Sequence, residues 1–152
     1  MIDLQHKASY LNALFEMKDS VQDLFIQHPR IGFCSDGAFL LHHPRSFGSF
    51  ARIIDHYVYQ RKVLTLQEAI YKATGLNADT YKIKDRGYIR EGYYADILVF
   101  RPERITQRAH FANPTEMSEG FDVIVNGNVA LMNGKQKCKC GRIVESYAER
   151  VD

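Results

Sequence analysis

Ile31-Gly32-Phe33-Cys34-Ser35-Asp36-Gly37 decides how the first half of this 152-residue sequence is read. A short apolar run of buried-strand type leads straight into Ser-Asp-Gly, a strong turn signal. Parallel α/β sheets and barrels place their active sites at such points, where the carboxyl end of a strand meets a loop. Asp36 is therefore a candidate catalytic carboxylate. Ser-Asp-Gly is also common turn chemistry, in which the aspartate bonds its own backbone, and the tripeptide taken alone favours the turn.

The flanking sequence alternates in the same α/β manner. Residues 11–17 are apolar and fit strand or helix. Asp19 or Ser20 can cap a helix that carries Val21, Leu24, Phe25 and His28 on one face and is stopped by Pro29. Beyond Asp36, a loop through Pro44 and Gly48 leads to a helix over residues 50–61. Its Phe50, Ile53, Ile54, Tyr57 and Val58 form one apolar stripe. Thr65-Leu66-Gln67-Glu68 has the capping-box pattern. Leu66, Ala69, Ile70 and Ala73 supply that helix's buried face, and Gly75 closes it as a C′ glycine.

After a junction over residues 76–84 the pattern turns to strands and tight turns. Ile97-Leu98-Val99-Phe100 reads as a strand halted by Pro102, and residues 103–120 as a long polar loop. Val123-Ile124-Val125, Asn126-Gly127 and then Val129 to Met132 predict a hairpin on a type I′ turn; Asn133-Gly134 marks another turn. The sequence is thus α/β first and β-rich second.

Composition narrows the function classes. With 45% hydrophobic and 25% charged residues the chain can fill a core, as soluble globular proteins do. A net charge of +2 and a pI of about 8.4 are too mild for a nucleic-acid binder or a membrane-surface protein. No apolar run approaches the roughly 18 residues of a spanning helix, and Asp3, His6 and Lys7 interrupt any signal peptide. Three cysteines give no disulfide framework, so the expectation is a cytoplasmic, reducing location. Cys138-Lys139-Cys140 is a lone C-x-C with too few ligands for zinc, and is expected as free thiols. A complete (β/α)8 barrel, which needs roughly 200–250 residues, is excluded.

Arg45 follows Asp36 on the same loop, in His42-His43-Pro44-Arg45, and its fork of donors could grip a substrate carboxylate; a solvated loop arginine is the plainer alternative. Adjacent His42 and His43 point opposite ways in extended chain and make a poor metal pair, so both, like His56, read as structural or exposed. There is no phosphate-binding glycine loop, no G-x-S-x-G and no H-E-x-x-H. Tyr88, Tyr93 and Tyr94 lie among mixed charges rather than in a basic stripe, which argues against base stacking.

Three stretches together resemble the C-terminal part of the N-acyl-D-amino-acid deacylases (D-aminoacylases) of the amidohydrolase superfamily. They are the run from Met17 through His28-Pro29 to Ser35-Asp36-Gly37, the segment His43-Pro44-Arg45 with Phe47-Gly48-Ser49-Phe50 and Arg52, and residues 84–100 with Val123-Ile124-Val125-Asn126-Gly127. The resemblance implies the last two β/α units of a metal-dependent (β/α)8 barrel in residues 1–80. Strands of a small β-sandwich would follow in residues 81–145, then a tail over 146–152. It implies zinc-dependent hydrolysis of the amide of an N-acyl-D-amino acid, with Asp36 as the proton-transferring aspartate and Arg45 on the substrate's α-carboxylate. The family's metal ligands, an H-x-H, a cysteine and two histidines on earlier strands, have no counterpart here. No residue is assigned to metal, and zinc is not expected to be held tightly by this chain alone. Ala51 stands where the family usually has proline.

Three readings follow, in this order. The chain is a D-aminoacylase-like hydrolase part with little activity alone; or a non-enzymatic binding or interaction module using Asp36 and Arg45 structurally; or half of a split two-chain deacylase completed by an upstream chain. Unpaired strand edges would favour such a partner or self-association. Nucleic acid and membrane are not expected partners.

Overall fold

Two prolines mark off the first helices of the computed structural model, which describes residues 18–38 and 41–144. The apolar run at 11–17 and the tail at 146–152 lie outside the described residues. Helix α1 (Asp19–Gln27) ends before Pro29, as expected, but its N-cap is Lys18, with no side-chain cap from Asp19 or Ser20. Its expected face is also reversed. Leu24 is 70% exposed, Val21 and Phe25 also face outward, and the inward side carries Gln22, Asp23 and Ile26. The polar ends of the core beneath set this rotation. Tyr57 Oη donates to Gln22 Oε1 at 3.1 Å, and Arg61 Nη2 donates to Asp23 Oδ2 at 2.7 Å.

The expected strand at residues 31–34 is extended chain that forms no ladder with another of the described residues. A strand needs a neighbour to satisfy its backbone, and here helices take that part. Phe33 N–H donates to Lys72 O at 3.0 Å, Asn77 Nδ2 donates to Phe33 O at 2.8 Å, and Lys72 Nζ donates to Ile31 O at 3.0 Å and to His28 O.

Helix α2 (Pro44–Arg52) starts where a loop was expected, with Pro44 at the first turn and Gly48 buried inside it. A Cβ at Gly48 would meet Ala109 Cβ at 3.1 Å, so the close approach to the 103–120 loop requires glycine. The helix runs on as a π-helical segment, Ile53–Gln60. Ile53, Ile54, Tyr57 and Val58 are buried as the stripe predicts, whereas Phe50, on the α-helical turn before the change, is exposed. Ile53, Val58, Leu64 and Ala69 form the core cluster, with Ile26, Phe33 and Leu66 against it.

The capping box of α3 (Leu66–Ala73) is present in full: Glu68 N–H donates to Thr65 Oγ1 at 3.2 Å and Thr65 N–H to Glu68 Oε2 at 2.8 Å. Ala69 is buried, and Leu66, Ile70 and Ala73 are half-buried. Gly75 does not terminate the helix in a left-handed conformation. The chain bends at Thr74 and Gly75 opens α4 (Gly75–Thr80), where a Cβ would come within 2.7 Å of the Tyr88 ring.

The second half is one antiparallel sheet in the order β1 (Ile97–Phe100), β2 (Phe121–Val125), β3 (Asn128–Met132), β4 (Lys135–Gln136). Ile97 lies opposite Ile124 and Phe100 opposite Phe121. Asn126 (φ 50°) and Gly127 (φ 78°) make the expected type I′ turn, and Asn133 and Gly134 repeat it before β4. Pro102 ends β1, and the irregular 103–120 stretch still contributes buried Ile105 and Ala109. The described strands form a single layer, and no described helix is long and apolar enough to cross a membrane.

Cys138 and Cys140 are joined in a disulfide, not free as expected. The chain bends at Lys139 so that their Cα atoms lie 5.5 Å apart, within the range a disulfide spans. Cys34 is free and exposed.

Candidate active site

The turn at Asp36 is tied by its neighbour. Gly37 N–H donates to Ser35 Oγ at 3.1 Å, while Asp36 takes a left-handed φ of 47°. The Asp36 carboxylate is directed to another element: its Oδ2 lies 3.1 Å from Arg45 Nη1. The two candidates that sequence placed on one loop thus meet as an ion pair, with Arg45 carried by the first turn of α2 rather than by a loop.

The start of α2 is built to hold that pair. His43 is its N-cap, and Nδ1 of the imidazole accepts the Arg45 N–H at 3.1 Å. Ser49 Oγ donates to Arg45 O at 2.9 Å, and Ala38 N–H donates to Ser46 Oγ at 3.4 Å. Gly37 packs so closely on Ser46 that a Cβ would sit 3.0 Å from its Cα. The His43 ring stands edge-on to Phe111 at 5.3 Å between centroids. Burial, then the Arg45 guanidinium, push the His43 pKa below its ordinary value, with Asp36 opposing. Arg45 Nε is shielded from solvent and has no hydrogen-bond partner among the described residues.

A cavity of about 410 Å³ adjoins Arg45, and Ser35, Phe50, Ile54, Leu98 and Phe121 are among the residues that line it. Helix α2 and the sheet therefore flank a largely apolar, open space that Arg45 helps to line.

The other candidates are accounted for by local contacts. His42 is exposed, and His56 shares a hydrogen bond with Gln60 Oε1 at 3.1 Å. The tyrosine faces are occupied from within: Arg86 lies 4.2 Å from the Tyr94 ring centroid, and Arg90 lies 4.5 Å and 5.7 Å from those of Tyr88 and Tyr93. Sequence reasoning missed His43 and Lys72. The signal for His43 was present, since proline at the first helical position marks the preceding residue as the cap. Lys72, only 3% exposed, gave no local signal, because its partners are the carbonyls of His28 and Ile31 far back in the chain.

A metal does not fit the residues present. Among the described residues no three His, Cys, Asp or Glu side chains gather into a ligand set, and the Asp36 carboxylate faces a guanidinium that repels a cation.

Residues 13–130 match the amidohydrolase family, and the chain belongs to it. Within that family its similarity lies with enzymes that deacylate N-acyl-D-amino acids. It is 37% identical over 116 residues to an N-acyl-D-aspartate deacylase of Alcaligenes xylosoxydans xylosoxydans, covering 74% of this chain and 23% of that protein. A crystal structure of D-aminoacylase superposes with a TM-score of 0.79 at 32% identity, over 84% of this chain and 28% of that one. N-acyl-D-glutamate deacylase from Bordetella bronchiseptica, solved with zinc and a phosphonate mimic of the tetrahedral intermediate, gives 0.76 at the same identity and the same coverage. The chain thus spans about a quarter of the length of these relatives.

Proposed function

We propose that this chain carries the proton-handling and carboxylate-gripping end of an N-acyl-D-amino-acid deacylase site. The observation that carries the reading is the Asp36–Arg45 pair, whose arginine lines a largely apolar cavity. The reaction is amide hydrolysis. Water adds to the acyl carbon while Asp36 accepts its proton; the C–N bond then breaks and Asp36 returns the proton to the leaving nitrogen. Arg45 binds the substrate's α-carboxylate in a bidentate grip. Because Asp36 occupies the guanidinium beforehand, an arriving carboxylate takes its place and leaves Asp36 free as a base.

Zinc belongs to this reading as a group held by residues other than those described, and no step above is assigned to it. Residues 1–80 would supply the last two β/α units of a barrel and residues 81–145 strands of a β-sandwich, in a cytoplasmic protein. The extended 31–34 segment, unladdered among the described residues and leading into Asp36, supports this, since a barrel strand whose neighbours lie elsewhere would take that form. The same segment favours, as a second reading, a split enzyme completed by a separate chain. A non-enzymatic module is not favoured for a chain of this family.

The test is complementation. The chain is assayed with zinc on N-acetyl-D-leucine, N-acetyl-D-aspartate and N-acetyl-D-glutamate, alone and with a chain bearing the H-x-H strand and the further ligands. No turnover alone, turnover when complemented, and a loss of about 10²-fold or more in Asp36→Asn are expected. Turnover by the lone chain with bound zinc, or a complemented enzyme indifferent to Asp36→Asn, would overturn the proposal.

A further inference from the structure

We infer that His43 is the positioning residue of the Asp36–Arg45 pair. Its neutral imidazole, by accepting the Arg45 N–H, fixes the first turn of α2 so that the guanidinium reaches the carboxylate and Nε is shielded. The inference borrows its functional meaning from the proposed deacylase site, but its geometry stands alone.

Four observations converge on this residue. His43 is the side-chain N-cap of α2, and the N–H it accepts is that of Arg45 itself. The ring packs edge-on against Phe111, a contact that favours this orientation of the acceptor. The turn that carries Asp36 rests on the same first helical turn through Ser46. Arg45 Nε is shielded from solvent with no hydrogen-bond partner among the described residues, so its shielding depends on where that turn sits.

An imidazole does this only while neutral. Protonation converts Nδ1 from acceptor to donor, and two N–H groups then face each other. The charged groups that face the ring are Arg45 on α2 and Asp36 on the preceding turn; the 103–120 loop presents the uncharged Phe111 ring. Burial and Arg45 together outweigh Asp36 and keep the ring neutral to lower pH than an exposed histidine. The device therefore holds at neutral pH and releases on acidification.

The experiment follows hydrogen exchange of the Arg45 Nε proton by NMR in the full chain, relative to free arginine at the same pH, from about pH 8 to about pH 5. His43→Asn keeps a capping acceptor that does not titrate, and His43→Phe keeps the ring without the acceptor. Wild type should be protected at neutral pH and lose roughly tenfold protection as His43 protonates. His43→Asn should stay protected throughout, and His43→Phe should be unprotected throughout. A wild-type profile flat with pH, or a His43→Asn profile that follows the wild type, would overturn the inference. Should His43→Phe not fold, the comparison of wild type with His43→Asn decides alone. No turnover is needed, so failure here and failure of the deacylase assay are separate results.

Discussion

Arg45 Nη1 meets Asp36 Oδ2 at 3.1 Å, yet the carboxylate side chain remains 79% exposed and the arginine 41%. An ion pair this wet contributes little to stability, because water competes for both charges and two mobile side chains must be fixed. The surroundings that align it are more extensive than the pair itself is worth. The proposed chemical role of the pair therefore predicts that its loss costs the fold little.

Asp36→Asn and Arg45→Met should therefore each change the unfolding free energy by no more than about 1 kcal/mol. Urea denaturation followed by circular dichroism measures this. A loss well beyond that figure would make the pair structural and remove the reason for assigning it a chemical role.

Lys72→Met tests the opposite case. The ammonium is buried over the Phe33 ring and donates to the His28 and Ile31 carbonyls. Burial pushes its pKa down, with Glu68 opposing, so the site charges its lysine at a cost. Methionine fills the space but leaves two carbonyls without that donor, a loss of about 1–3 kcal/mol. The urea midpoint should fall, and exchange of the Phe33 amide, which bonds Lys72 O, should accelerate with it. An unchanged midpoint would mean that water replaces the ammonium.

Gly87 and Gly92 separate backbone strain from crowding. Both have φ above +80°, but a Cβ at Gly87 would lie 2.4 Å from Ala78 Cβ, and one at Gly92 meets nothing within 4 Å. Gly92→Ala should cost about 1 kcal/mol for the left-handed backbone. Gly87→Ala should cost about 1–3 kcal/mol more, since α4 must shift to admit the methyl. Thermal melts of the two variants would settle it, and equal losses would show that α4 yields without cost.

What sequence revealed and what it hid divide by the distance over which each feature is determined. The Asn126-Gly127 turn and the Thr65–Glu68 box are made by residues within three positions of one another, and both are present. The rotation of α1 depends on Arg61 and Tyr57, 38 and 35 positions away from Asp23 and Gln22. The apolar pattern of α1 alone therefore pointed to the wrong side. Residues 31–34 have strand composition, but a ladder is a property of two segments. Among the described residues no second segment pairs with it, and the helices' Lys72 and Asn77 bond that backbone. Asp36 and Arg45 were legible as residue types on one stretch; that α2 starts at Pro44 and brings them together was written only in the histidine before that proline.

Glu68 gives a dependence on acid that a single variant should remove. The Thr65 backbone N–H and hydroxyl both donate to its carboxylate and hold its pKa below the usual value, and burial opposes more weakly. A carboxylate whose folded pKa is depressed stabilises the fold above its unfolded pKa and loses that contribution as pH falls through the folded value. Helix α3 carries Ala69 of the core cluster and the buried Lys72, so its N-terminal turn matters beyond itself. Thr65→Ala deletes the hydroxyl that caps the Glu68 N–H and should cost about 1 kcal/mol at neutral pH. Glu68→Gln keeps a side chain able to accept from Thr65 but removes the titration. Melting temperatures taken from neutral pH down through the carboxylate range should fall less steeply for Glu68→Gln than for wild type. Parallel curves would show that the acid sensitivity of the fold arises at other carboxylates, and that the box contributes through its neutral hydrogen bonds alone.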